Sequence, residues 1–379
     1  MTLLFDLACT QPNCSGKRHG GGKYGEIVFY RIVERSLPIV ALYDSSRWFN
    51  PEIKAFIEKN GIELLDKQKE GSINNIVNKY GFNKVYSPIV SNEMFEINAN
   101  IDLVGTIHGL RPLELSFDIF MLKYNCCSLR EKCTYIIKKL WNNFGYKRAR
   151  KFYKQAYSHE NFRFAMVSYH GINALLAYMP QFKNKRIKVF YSPSTSKGAV
   201  STTKYKDKYY LLVSANRWEK NCLRGIIAFD RLFSNNFLEN TKVRITGIDS
   251  PSAFKYKLQN PEKFEFVGYV DDKELNQLYH DAYGFLYLSL NEGFGYPTLE
   301  AMHFGVPCIT SPFTSIPEIC QGAVIYANPY SIEEIMSRIL LLENQEIHVK
   351  FSMLANNQEN IIRQRQNEDL DKLIDFIYK

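Results

Sequence analysis

Short apolar runs, rich in β-branched and aromatic residues, alternate along this chain with stretches whose apolar positions recur every three to four residues. The first pattern predicts buried parallel strands and the second amphipathic helices, so their alternation predicts βα units. In the first half the strand pattern falls at Leu3–Ala8, Pro38–Tyr43, Lys84–Val90, Asp102–His108, Ala165–Ser168 and Ile187–Tyr191. A stretch from Ser192 through Gly198 to Lys204 is poor in apolar residues and rich in turn formers, as a linker is. A second series follows at Tyr209–Ser214, Val243–Gly247, Phe264–Val270, Gly284–Ser289, Pro307–Thr310 and Ala323–Ala327. The prediction is an α/β protein of two Rossmann-like domains. Length agrees, since 379 residues exceed the roughly 250–300 at which one core stops growing.

Composition narrows the class. With 45% hydrophobic and 23% charged residues the chain reads as globular, neither disordered nor fibrous. No apolar run reaches the ~18 residues of a membrane span, and Asp6 interrupts the opening Met1–Phe5 too early for a signal peptide. A cytoplasmic protein is expected. The 8 cysteines (Cys9, Cys14, Cys126, Cys127, Cys133, Cys222, Cys308 and Cys320) lack disulfide density and paired C-x-x-C spacing, so reduced thiols and no zinc are expected.

The net charge of +9 is concentrated. Between Leu129 and Ser158 stand Arg130, Lys132, Lys138, Lys139, Lys147, Arg148, Arg150, Lys151 and Lys154 against Glu131, a local balance of 9 − 1 = +8. Ile137, Leu140, Trp141 and Phe144, then Ala149, Phe152, Tyr153 and Ala156, recur at helical spacing in the same segment. One or two amphipathic helices are predicted, with two readings open: a contact with anionic membrane, peripheral to its inner face, or core helices with a solvated basic face. No nucleic-acid-binding module is recognisable, and no nucleic-acid partner is expected.

Two glycine-bearing regions invite chemistry. Gly20, Gly21 and Gly22 with Lys23, Tyr24 and Gly25 spell a formal G-x-G-x-x-G, and Asp44 follows at the end of the second strand. The dinucleotide motif needs its glycines at the strand-to-helix turn, whereas residues 9 to 19 intervene here. The reading kept is a flexible glycine-rich loop on the carboxyl side of the first strand. No P-loop can be written in this stretch.

The second region, Ser289 to Pro307, is more informative. It follows the apolar run Gly284–Leu288, and Pro297 and Gly305 suit the first position and the end of a short helix, about Pro297 to Phe304. The free amides of that helix, with those of Gly293 and Gly295, suit a diphosphate. Glu292 in the loop and Glu300, expected in the first helical turn, can each accept paired hydrogen bonds from vicinal hydroxyls. After the domain's first strand, Arg217 and Lys220 put a guanidinium and an ammonium three positions apart, able to converge on one pyrophosphate.

Here the sequence resembles a known family. Glu292-Gly293-Phe294-Gly295-Tyr296-Pro297-Thr298-Leu299-Glu300-Ala301-Met302, then Gly305-Val306-Pro307 and Ser315-Ile316-Pro317-Glu318, is similar to the E-x7-E region of glycosyltransferase family 4, the retaining GT-B enzymes among the glycosyl transferases group 1. Arg217 and Lys220 match its donor-phosphate pair, and Phe266-Val267-Gly268-Tyr269-Val270 its strand beside the nucleobase. Thr106-Ile107-His108-Gly109 resembles the strand ending in a catalytic-region histidine, and Gly20 to Gly25 the acceptor loop. Gly109 replaces a frequent acidic residue, Asn221 a frequent glycine, and Tyr191-Ser192-Pro193 a frequent asparagine-glycine turn.

The resemblance implies a GT-B fold, two Rossmann-like domains facing each other across a cleft. The acceptor-side domain would be 1–195, joined by a C-terminal helix over 360–379, and the donor domain 205–358. It implies a hexosyl transfer from a nucleoside-diphosphate sugar to a saccharide or lipid-linked hydroxyl, in cell-surface polysaccharide or lipopolysaccharide synthesis. Glu292 and His108 would be catalytic. Arg217, Lys220, Gly247, Val270, Gly293, Phe294, Gly295, Tyr296, Thr298 and Glu300 would bind the donor, and Gly20, Gly21 and Gly22 would form the acceptor loop. Neither metal nor cofactor is implied, because attack on the retained face uses the leaving phosphate as base and the cations and amides replace a divalent ion. A nucleotide-sugar epimerase or phosphorylase on this fold, or an inactive nucleotide-sugar-binding partner, remain the alternatives.

Overall fold

The computed structural model describes residues 2–12, 20–98, 100–116, 118–125, 128–140, 144–194 and 207–379. Cys14, Cys126, Cys127, Trp141 and the greater part of the expected linker, 195–206, lie outside the described residues.

Two compact units form, each around one parallel sheet. The first sheet contains β1 (Leu3–Asp6), β2 (Ile39–Tyr43), β3 (Leu64–Asp66), β4 (Lys84–Ser87), β5 (Asp102–Ile107), β6 (Phe162–Met166) and β7 (Ile187–Val189), in the order β3-β2-β1-β4-β5-β6-β7. The second contains β8 (Lys208–Leu212), β9 (Thr241–Thr246), β10 (Phe264–Gly268), β11 (Gly284–Tyr287), β12 (Cys308–Thr310) and β13 (Ile325–Tyr326), in the order β10-β9-β8-β11-β12-β13. This is the predicted α/β class. Every predicted strand is present, most of them trimmed at their ends, while β6, β8 and β9 begin earlier than predicted, and β3 is an addition.

Both orders reverse once, between β1 and β4 in the first sheet and between β8 and β11 in the second. At such a switch the connections leave to opposite sides and open a crevice beyond the carboxyl ends of the two strands. β8 and β11 register Gly284 against Tyr210 and Phe285 against Leu211. Loops leaving them therefore emerge side by side.

By packing, the first unit comprises Met1–Leu113, Gly145–Thr195 and Arg363–Lys379, and the second Glu114–Phe144 and Ser196–Ile362. The expected acceptor-side domain was all of 1–195, but Glu114–Phe144 groups with the second unit. The reason is a set of specific contacts. Arg224, on the helix Cys222–Ser234, is buried, lays its guanidinium on both carboxylate oxygens of buried Asp118 and stacks 3.7 Å from the Phe120 ring centroid. The Tyr124 hydroxyl accepts from Leu223 N at 3.1 Å, and Tyr124 bridges Phe254.

The helix Gln345–Tyr378 is continuous, yet its last turns pack in the first unit. There Arg31 and Arg35 meet Asp371 and Asp375 at 2.9 and 2.7 Å, and Asp369 accepts from Tyr191 N at 2.9 Å.

The basic segment forms two helices, Leu129–Leu140 and Phe144–Ser158. In the second, Ala149, Tyr153 and Ala156 enter the core of the first unit, with Tyr146, Phe152 and Tyr157 packed against it. Phe152 meets Phe95 edge-on at 5.0 Å. That helix follows the core reading. In the first helix Leu129 is 80% and Ile137 56% exposed. Among the described residues no helix is long and apolar enough to cross a membrane. Of the described cysteines, Cys9, Cys133, Cys222, Cys308 and Cys320 are free thiols, the last three buried.

Candidate active site

The second unit brings Arg217, Lys220 and Glu292 together at its switch point. Arg217 and Lys220 lie in the loop and 3-10 turn after β8, and Glu292 lies in the loop after β11. The two loops are tied by Leu290 N donating to Glu219 O at 2.8 Å. Asn221, directly after Lys220, has φ +60°, and its side-chain Nδ2 donates to Pro329 O at 2.7 Å. Asparagine tolerates this left-handed backbone better than other side chains, which explains how it stands where the related pattern has glycine.

Glu292 is almost fully buried, and one oxygen does all its bonding. Oε1 accepts from Lys220 Nζ, from Tyr287 OH at 2.6 Å and from Ser289 Oγ at 2.6 Å. Among the described residues no hydrogen bond reaches Oε2. Burial alone would raise the Glu292 pKa, but the Lys220 charge and hydrogen bonds from Lys220, Ser289 and Tyr287 outweigh it and hold the carboxyl below its ordinary value. The backbone is held as well: Glu292 N donates to Thr314 Oγ1 at 2.9 Å, and Ser315 Oγ donates to Glu292 O at 3.1 Å. The carboxylate is thus fixed, ionised and one-sided.

Lys220 is also buried, and Nζ donates to Tyr287 OH at 2.7 Å as well as to Glu292. Arg217 is more exposed and forks onto Glu219 Oε1 at 3.1 and 2.8 Å. Burial would lower its pKa; Glu219 reverses this and raises it, so the guanidinium is a permanent charge. Tyr287 and Ser289 are the members that sequence reasoning missed. Both sit in what reads as a featureless apolar strand and its end, and only the Glu292 carboxylate folding back over the strand gives them a role.

The short helix runs Tyr296–His303, preceded by Gly295 at φ +105°. A Cβ on Gly295 would stand 2.7 Å from Ile316 Cδ1, so both backbone and space require glycine. Phe294 is buried, and Gly293 and Tyr296 are half-buried. Glu300 is the fifth residue of the helix, which places it in the second turn and corrects the first-turn expectation. It is half-buried beside Tyr279, whose pKa burial, followed by Glu300 and more weakly Glu292, pushes well up. Thr298 is fully buried, and among the described residues its hydroxyl has no partner. Gly247 closes β9 at φ +92°, where a Cβ would lie 2.9 Å from Asn216 Oδ1, and Val270 is half-buried just past β10.

His108 and the glycines belong to the first unit. His108 follows β5, and its Nε2 contacts Pro88 O at 2.8 Å. A carbonyl can only accept, so Nε2 carries the proton. The ring edge meets Tyr24 at 4.6 Å between centroids. Gly20, Gly21 and Gly22 are not a loop: they are the first turn of the helix Gly20–Glu34. Gly25 lets that helix approach closely, since a Cβ there would stand 2.6 Å from Thr10 Cγ2.

Solved glycosyltransferase structures share this architecture over the whole chain. WaaG, a glycosyltransferase involved in lipopolysaccharide biosynthesis, aligns at a TM-score of 0.68 and 14% identity, covering 99% of each chain. Anabaena HepE in complex with UDP aligns at 0.66 and 15%, covering 100% of both. The fold is GT-B.

Residues 195–365, which hold Arg217, Lys220, Glu292 and Glu300, match the family described as glycosyl transferases group 1. The chain is 45% identical over 75 residues to O-antigen chain mannosyltransferase B of Escherichia coli, 20% of either sequence. It is 30% identical over 147 residues to O-antigen chain mannosyltransferase RfbU of Salmonella typhimurium, 38% of this chain and 41% of that one. The matches thus span less than half the length of these curated relatives.

Proposed function

We propose that this chain is a retaining glycosyltransferase that moves a hexosyl group, mannosyl first among candidates, from a nucleoside-diphosphate sugar to a hydroxyl of a saccharide or lipid-linked acceptor in cell-surface polysaccharide or lipopolysaccharide synthesis. The observation that carries the reading is the Lys220–Glu292 pair beside Arg217 at the β8/β11 switch point. Lys220 and Arg217 stabilise the charge that grows on the departing diphosphate, with the amides of Gly293 to Gly295 behind them. Glu292 offers Oε2 to the sugar, and Glu300 takes the ribose. The bond from the anomeric carbon to the phosphate oxygen breaks as the acceptor oxygen attacks the same face. The acceptor proton passes to the leaving phosphate, so no protein nucleophile is needed. The two cations do the work of a divalent ion, so the reaction proceeds without metal. His108 serves the acceptor side, and the opening turn of the helix Gly20–Glu34 takes the place of an acceptor loop. Mannose is favoured by the O-antigen mannosyltransferases with which the chain shares sequence.

In the same reading the protein works at an anionic membrane, and the contact falls to the helix Leu129–Leu140, where Leu129, Ile136 and Ile137 are exposed among basic residues.

The test is incubation with GDP-mannose and a panel of UDP-sugars plus oligosaccharide and lipid-linked acceptors, with and without EDTA, and NMR assignment of the product anomer. Transfer with retained configuration in EDTA is expected. Isomerised donor without acceptor would indicate an epimerase, and neither turnover nor nucleoside-diphosphate binding would end the glycosyltransferase reading.

A further inference from the structure

Tyr287 is a buried phenol in the middle of the candidate site, and the function proposed above assigns it no task. It is 1% exposed and ends β11. Its hydroxyl proton goes to Glu292 Oε1 at 2.6 Å, and its oxygen accepts from Lys220 Nζ at 2.7 Å. The Lys220 ammonium also stands 5.3 Å from the ring centroid. Phe285 stacks on the ring at 5.6 Å, so its place is fixed by packing.

We infer that Tyr287 is a positioning residue for transfer: its hydroxyl couples the cation that takes the diphosphate to the carboxylate that takes the sugar, and turns Glu292 so that Oε2 remains for substrate. This rests on the glycosyltransferase reading. The geometry behind it is directional. A phenol has one proton, and here that proton is committed to Glu292, so the oxygen can only accept from Lys220. The bonds run one way, ammonium to phenol to carboxylate, and each of the three groups fixes the next. Ser289 holds the same Oε1 from its own side but, among the described residues, makes no hydrogen bond to Lys220. Tyr287 alone of the two therefore links both charges. A phenylalanine would keep the stacking and lose only this link.

The experiment compares Tyr287→Phe with Tyr209→Phe in the full chain. Tyr209 is equally buried in the same unit, but its hydroxyl donates to Leu278 O at 2.7 Å, outside the cluster, so it reports the generic cost of deleting a buried phenolic hydroxyl. With the donor found active, kcat of Tyr287→Phe is expected to fall about tenfold or more, the scale of one hydrogen bond to a charged group. The acid limb of its kcat–pH profile is expected to move to higher pH, because Glu292 has lost a bond to its ionised form. Tyr209→Phe should keep the wild-type kcat and acid limb, whatever its melting temperature. Thermal unfolding of both variants separates folding loss from site loss. A Tyr287→Phe enzyme with wild-type kcat and an unmoved acid limb overturns the assignment, as does an equal change in both variants. A wild type inactive on every donor fails earlier, at the glycosyltransferase reading, and takes the assignment with it.

Discussion

Lys220 and Glu292 stand 72 positions apart in the chain and form one buried ion pair. A substitution of either one therefore also disturbs the other. Breaking a buried pair from one side leaves a desolvated charge, at a cost of ~3–5 kcal/mol. Lys220→Met should lose stability on that scale, and Lys220→Met with Glu292→Gln should recover much of it. Urea unfolding of the four members of the cycle measures the coupling. Additive losses would mean that the pair does not act as one unit.

The same pair sets an acid limb of stability. The folded pKa of Glu292 lies below its unfolded value, so its contribution is complete above the unfolded value, roughly 4.3, and is lost as pH falls through the folded pKa. Glu292→Gln should flatten that portion of the stability–pH curve. Denaturant midpoints collected from pH 3 to 7 check it, with roughly this interval bracketing the limb.

Glu292 and Glu300 should divide between turnover and affinity. In the proposed reaction Glu292 offers its uncommitted oxygen to a sugar that gains positive character during transfer, so Glu292→Gln should lower kcat by roughly 10²-fold. Glu300 sits in the second turn of the helix, and in the proposed reaction its ribose contact is equally good before and during transfer, so Glu300→Gln should mainly raise donor KM. Steady-state kinetics decides, and near-normal kcat in Glu292→Gln would reverse the assignment.

The proposed membrane binding should depend on the helix Leu129–Leu140 and not on Phe152 or Tyr153, which are packed in a core. Glu at both Ile136 and Ile137 should abolish flotation with anionic vesicles and leave the melting temperature unchanged. Equal binding of wild type and variant would assign the contact elsewhere.

Much of this was legible in the sequence because buried parallel strands write themselves as apolar runs. The glycine-proline-glycine grammar around Tyr296–His303 marked its helix to within one residue. β3 escaped because Leu64–Asp66 has only three residues and ends on an acid. The opening glycines read as a loop because glycine lowers helix propensity; the close approach to Thr10 and Pro88 that favours Gly25 is tertiary and leaves no local trace. Phe152 and Tyr153 could not be told from a membrane-facing stripe, since an amphipathic pattern names a buried face but not what buries it. Tyr287 and Ser289 were hidden for a related reason: strand periodicity shows which residues are inside, never which carboxylate will turn to meet them.

The docking of Asp118 and Tyr124 on the helix Cys222–Ser234 bears on how the molecule can be taken apart. The chain passes from one unit to the other at 113/114, 144/145, 195/196 and 362/363, so neither unit is a contiguous stretch of gene. A fragment cut at the linker, beginning near residue 205, would carry Arg224 without its carboxylate and Leu223 without the phenol over its amide. Recombinant work on residues 205 onward alone would thus study a protein with an open wound on its surface; splicing 114–144 back through a short tether is the repair the fold itself prescribes.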